Sequence, residues 1–119
     1  PNVRTVQGEL VTALTRLGLK PSLGKFAGRT DAGVHARLQY FQCWVENPRY
    51  EAASLVKRLN AVLPDDMTVW EGCYLGEDNG FDVRQSVSWR WYRYQVQLSA
   101  RKDCWLPDDM AWLDVPDLD

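Results

Sequence analysis

Residues 28–36 read Gly28-Arg29-Thr30-Asp31-Ala32-Gly33-Val34-His35-Ala36, nine positions holding one carboxylate, one guanidinium and the only histidine of the chain. An aspartate is ionised at neutral pH without help from its surroundings, and an ionised carboxylate can add covalently to an electrophile. Asp and Gly are also the usual turn formers, and composition taken alone favours a plain turn. A second group of charged residues lies downstream. Arg84, Arg90, Arg93, Arg101 and Lys102 fall in one aromatic-rich stretch, a surface suited to phosphate contacts, although a charged strand face by itself is more often simply solvated. Cys43, Cys73 and Cys104 are far apart, odd in number and form no C-x-x-C pair. With one histidine for company they suggest neither a zinc site nor a disulfide framework; reduced cysteines of a cytosolic protein are the plain reading.

The elements that must position these residues follow from periodicity. Thr5 to Leu17 has Val6, Leu10, Ala13, Leu14 and Leu17 at helical spacing, with Thr5 as N-cap and Gly18 just past the end. Ser22–Ala27 reads as a strand, followed by the Gly28–Ala36 loop. Leu38–Glu46 alternates and is rich in aromatics, a second strand. Asn47-Pro48 suits a helix opening, N-cap then proline at the first helical position. Ala52, Leu55, Val56, Leu59 and Leu63 continue that helix until Pro64 stops it. Met67–Tyr74 reads as a strand, Gly76–Gly80 as a polar turn and Val87–Leu98 as a long last strand. Its alternation puts Arg90, Tyr92, Tyr94, Val96 and Leu98 on one face and Trp89, Trp91 and Arg93 on the other. The expected class is α+β, an antiparallel sheet with two helices on one face. A strand ahead of the first helix would complete a ferredoxin-like β-α-β-β-α-β unit; the sequence opens at Pro1 rather than Met, and that strand is expected to be missing.

The 119 residues, 45% hydrophobic and 25% charged, make one globular domain. No apolar run approaches the roughly 20 residues of a membrane helix, and no signal-peptide layout opens the chain. The net charge of −2 hides an asymmetry: six aspartates and no Lys or Arg follow Lys102, so residues 1–102 carry +4. The end, 103–119, is expected to be acidic and mostly irregular, and the body is mildly basic, compatible with an RNA partner.

The loop residues Gly28 through Ala36 stand without a departure as the active-site motif of the tRNA pseudouridine synthase A family, which this chain resembles. Asn2-Val3-Arg4-Thr5-Val6-Gln7-Gly8-Glu9-Leu10 with Ala13-Leu14 resembles the family's first helix. Leu59-Asn60-Ala61-Val62-Leu63-Pro64-Asp65-Asp66-Met67 resembles its L-N-x-x-L-P-D-D-I segment. Phe81-Asp82-Val83-Arg84-Gln85-Ser86 and Arg90-Trp91-Tyr92-Arg93-Tyr94 resemble its F-x-A-R-x-S and R-x-Y-x-Y stretches, with Val83 where alanine is usual. Nearly all of the chain is covered, but only the first half of the family's usual length.

The resemblance implies an RNA-modifying isomerase that converts uridine to pseudouridine in the anticodon stem-loop of tRNA, in the cytoplasm, as a homodimer when full length. No cofactor or metal is implied. Asp31 takes the nucleophile's role, with attack on the uracil ring or on the ribose carbon both open. The target base must leave its stack to reach such a residue. Arg29 would hold the flipped nucleotide or fill the space it leaves, and Tyr92 would pack against the base and assist proton transfer. Arg84 and Arg90 would bind substrate; His35 either contacts RNA or bonds to backbone. The family's second half brings a further basic group to pair with the aspartate, so this catalytic half is not expected to work alone. The alternative is a noncatalytic RNA-binding module of RRM type, which stacks bases on its sheet; its RNP signature is not found.

Overall fold

The computed structural model describes residues 3–77, 79–99, 101 and 103–114, the last by its backbone alone. Pro1, Asn2, Lys102, Pro116, Asp117 and Asp119, which enter the sequence reading, lie outside the described residues. Helix α1 spans Val6–Arg16. Thr5 caps it as its spacing predicts, the Gly8 N–H donating to its hydroxyl at 3.0 Å. At the other end Gly18 takes φ +82°. Leu19 N–H donates to the Leu14 carbonyl (3.1 Å) and Gly18 N–H to that of Thr15 (2.9 Å), the paired bonds of a Schellman cap. The cap turns the chain back so that Leu19 is buried beside Leu14.

Strand β1 (Pro21–Phe26) pairs antiparallel with β2 (Phe41–Val45). A register shift between Ser22 and Lys25 coincides with Leu23 in the left-handed region, the local kink of a bulge. The tilted ring pair Phe26–Phe41, centroids 4.8 Å apart, closes the hairpin on its inner side. Helix α2 spans Ala52–Val62. It begins well after the predicted Asn47-Pro48 opening because Asn47 has φ 49°, whereas an N-cap residue is extended. Glu51 occupies the cap position with no side-chain bond. Its end is where Pro64 requires it: Leu63 is extended, ψ 152°, as a residue before proline must be. Leu10, Ala13, Leu14 and Leu19 meet Leu59 and Leu63 in the core, with Phe26, Phe41, Cys43 and Val45 packed from the sheet. These are the helix faces the periodicity selects, except that Val6, at the start of α1, is exposed.

The strands expected downstream are shorter or absent. Met67–Tyr74 forms no strand: the Asn60 amide takes both hydrogen-bonding groups of Val69, donating to its carbonyl (2.7 Å) and accepting from its N–H (2.8 Å), where a neighbouring strand would otherwise bind. Of Val87–Leu98, only the end joins a strand, β3 (Val96–Ser99); residues 87–95 have no ladder partner among the described residues. Within the end expected to be mostly irregular, Ala111–Asp114 forms β4, and β3 and β4 run parallel rather than antiparallel. Turns at Asp103–Leu106 and Pro107–Met110 bring the chain back alongside itself, across a connection close to the shortest that parallel strands allow. The fold is α+β, but the expected single antiparallel sheet is two separate two-stranded sheets among the described residues. Among the described residues β3 and β4 touch each other and no other helix or strand.

Candidate active site

The β1–β2 hairpin holds the predicted loop at its tip. Ala27 is buried, and its N–H donates to the Tyr40 carbonyl at 3.0 Å, closing the base of a loop that runs from Gly28 to Gln39. Within it, Val34 N–H donates to the Asp31 carbonyl at 3.3 Å. Gly33 at φ +81° sits third in that turn, the position that calls for a glycine. Asp31 is thus both a turn residue and an exposed carboxylate. Among the described residues no side chain donates to its carboxylate. Arg29 and His35 are exposed on the same loop, likewise in no ion pair among the described residues.

The second half of the site arrives from far along the chain. The Phe81–Ser86 segment docks on the hairpin through three sets of contacts. Lys25 donates to Asp82 at 2.6 Å; Gln42 donates to the Phe81 carbonyl (3.1 Å) and accepts from Val83 N–H (2.8 Å); and the Val83 side chain is buried. Asp82 also accepts from Arg84 N–H at 2.8 Å and opens a turn through Ser86. The Lys25 ammonium, with the Arg84 N–H in support, holds the Asp82 carboxyl below the usual carboxylate range. The Arg84 side chain is exposed.

That docking brings Arg90 and Tyr92 to the loop. Arg90 donates to the Ala27 carbonyl through Nε (3.0 Å) and Nη2 (2.5 Å), and to the Arg84 carbonyl at 3.2 Å. A Cβ at Gly28 would stand 3.2 Å from Arg90 Nε and 3.4 Å from the Tyr92 hydroxyl, so both side chains lie over the first residue of the loop. Arg90 and Tyr92 share a side, as the alternation predicts, although the backbone there is not a strand. The structure therefore joins Arg90 and Tyr92 to the loop that carries Arg29, Asp31 and His35, and leaves Arg84 at the rim. Gln39, Gln42, Lys25 and Asp82 escape a reading by motif. The available signal is a glutamine among the apolar and aromatic residues of a predicted strand, at Gln39 and again at Gln42.

The exposed Asp31 carboxylate, with a guanidinium two residues before it and the Tyr92 hydroxyl over the first residue of the loop, leaves this face open to a large, flexible substrate. A surface groove of about 470 Å³ between α2 and Trp70-Glu71-Gly72 is lined by none of the loop's residues. Comparison with known proteins supplies the class. The chain is 43% identical over 94 residues to the tRNA pseudouridine synthase A of Archaeoglobus fulgidus, covering 79% of this chain and 32% of that protein. It is 40% identical over 103 residues to that of Thermosipho africanus (85% and 41%), and 37% identical over 117 residues to that of Dictyoglomus thermophilum (98% and 47%). No family model and no solved structure matches the chain. The chain belongs to the tRNA pseudouridine synthase A family. It spans less than half the length of these curated relatives.

Proposed function

We propose that the protein isomerises uridine to pseudouridine in the anticodon stem-loop of tRNA, with Asp31 as nucleophile. The observation that carries this reading is the approach of Arg90 and Tyr92 to Gly28: residues distant in sequence converge on the loop of the one aspartate whose motif matches the family. The chemistry asks for a carboxylate that adds to the nucleotide, lets the uracil rotate after its glycosidic bond breaks, and leaves once carbon has replaced nitrogen. Asp31 is accessible enough to receive a base flipped out of the stack. Arg29, two residues earlier, stabilises the flipped nucleotide, and the Tyr92 ring lies against the base with its hydroxyl available for the late proton transfer. His35 and Arg84 contact RNA at the margin. The hairpin and its helices belong to a ferredoxin-like frame, and the complete protein acts as a homodimer in the cytoplasm, where three free thiols remain reduced.

The test is substitution at Asp31 in the full-length protein. Asp31→Asn and Asp31→Ala abolish pseudouridine formation on an anticodon stem-loop RNA and leave tRNA affinity largely intact. Product formed at near the wild-type rate would remove Asp31 from the chemistry. RNA binding without product from the unsubstituted protein would instead mark a noncatalytic RNA-binding module.

A further inference from the structure

We infer that Arg90 and Gln39 form a two-point clamp on the root of the Asp31 loop, and that they act as positioning residues rather than as RNA contacts; this rests on the function proposed above. A Cβ at Gly28 would stand 3.2 Å from Arg90 Nε, 3.3 Å from its Cδ and 3.4 Å from the Tyr92 hydroxyl, so a larger residue would press on the side chains packed over the loop root. The glycine has a cost. Glycine is the residue with the widest backbone freedom, and here it stands three positions before the nucleophile. An unrestrained Gly28 would let Arg29 and Asp31 swing together.

Side-chain donors remove that freedom on both sides of the glycine. The Ala27 carbonyl, in the peptide plane entering Gly28, takes two bonds from Arg90, at 3.0 and 2.5 Å. The Gly28 carbonyl, in the plane leaving it, takes a bond from Gln39 Nε2 at 2.7 Å. Gln39 is itself fixed, its Oε1 accepting from Tyr40 N–H at 3.1 Å. With the planes on either side held, φ and ψ of Gly28 are set, and so is the direction in which Arg29 leaves. Arg90 also ties the Arg84 carbonyl, so the docked Phe81–Ser86 turn and the loop root share one guanidinium. Two of the three guanidinium nitrogens, Nε and Nη2, are engaged by backbone carbonyls, a geometry that the planar fork suits and a lysine ammonium does not.

The variants that separate the two roles keep charge or size and remove geometry. Arg90→Lys retains the cation but cannot span both carbonyls, and Gln39→Met retains length without a donor. In the full-length protein each lowers the single-turnover rate of pseudouridine formation by about 100-fold, the scale of a misplaced catalytic group, with tRNA affinity unchanged. The double variant loses little more than either single one, because both act through the same glycine. NMR order parameters of the Arg29–Val34 amides fall in both variants while those of α1 and α2 hold. A wild-type rate in Arg90→Lys, or a loss confined to tRNA affinity, overturns the clamp, as do unchanged loop order parameters. If the unsubstituted protein makes no pseudouridine yet the loop loosens in both variants, the proposed function falls and the clamp stands.

Discussion

Lys25 and Asp82 are well separated in sequence and 2.6 Å apart in space, one of the contacts by which the Phe81–Ser86 segment docks on the hairpin. Because the bond to Lys25 depresses the Asp82 carboxyl, the folded value lies below the unfolded one, near 3.9. Its contribution to stability is therefore complete above the unfolded value and is lost as pH falls through the folded one. Asp66, held low by the bidentate Arg4 guanidinium, adds to the same acid sensitivity. Asp82→Asn is expected to be less stable than wild type at neutral pH and to lose less on acidification. Urea midpoints measured across the acid range check this, and parallel curves for the two proteins would refute it. Single residues of this kind were not legible in the sequence. Arg29, Asp31 and Tyr92 stand out by motif, but a lysine's partner 57 positions away has no local signature.

At the scale of elements, sequence and structure agree where the local physics is sufficient. Helix α1 carries its own instructions in Thr5, the apolar stripe and Gly18. Gly18→Ala should cost about 1–2 kcal/mol, the penalty for an L-residue in the left-handed region, read as a shift in the urea midpoint. No shift would mean that the cap rearranges freely. Asn47-Pro48 has the chemistry of a helix start, yet the left-handed Asn47 makes it a turn, and α2 begins only at Ala52. Strands were the least legible. The residues of 67–74 and 87–95 alternate as strands do, but a strand exists only where another segment accepts its backbone bonds. An asparagine side chain satisfies Val69 instead, and Arg90 is tied to the hairpin.

The whole molecule is elongated, 61 × 30 × 28 Å with a radius of gyration of 18.3 Å, against about 13–14 Å for a compact domain of this length. Its core is small, and many large apolar side chains face water, among them Trp70, Trp89, Trp91, Tyr94 and Trp105 at 66–88% exposure. The six tryptophans range from 37% to 87% exposed. The intrinsic fluorescence of the 119-residue chain is therefore expected to shift little in wavelength when urea unfolds it. A strongly blue emission that moves on unfolding would mean that these rings are covered in solution. No helix among the described residues is long and apolar enough to cross a membrane.

By itself the sequence determined the family, the α+β class, the extent of α1, the apolar faces that build the core, and the loop that carries Asp31. Each of these is written in residues close together in the chain, where periodicity, caps and motif spacing act. Only the tertiary structure decided that Arg90 and Tyr92 lie over Gly28, that Gln39 and Arg90 hold the peptide planes around it, and that the downstream segments form a separate parallel pair. Those outcomes depend on which backbone groups find partners across long separations, and no local pattern encodes the partner. The loop around Asp31 was legible as a motif; what holds it in place was not.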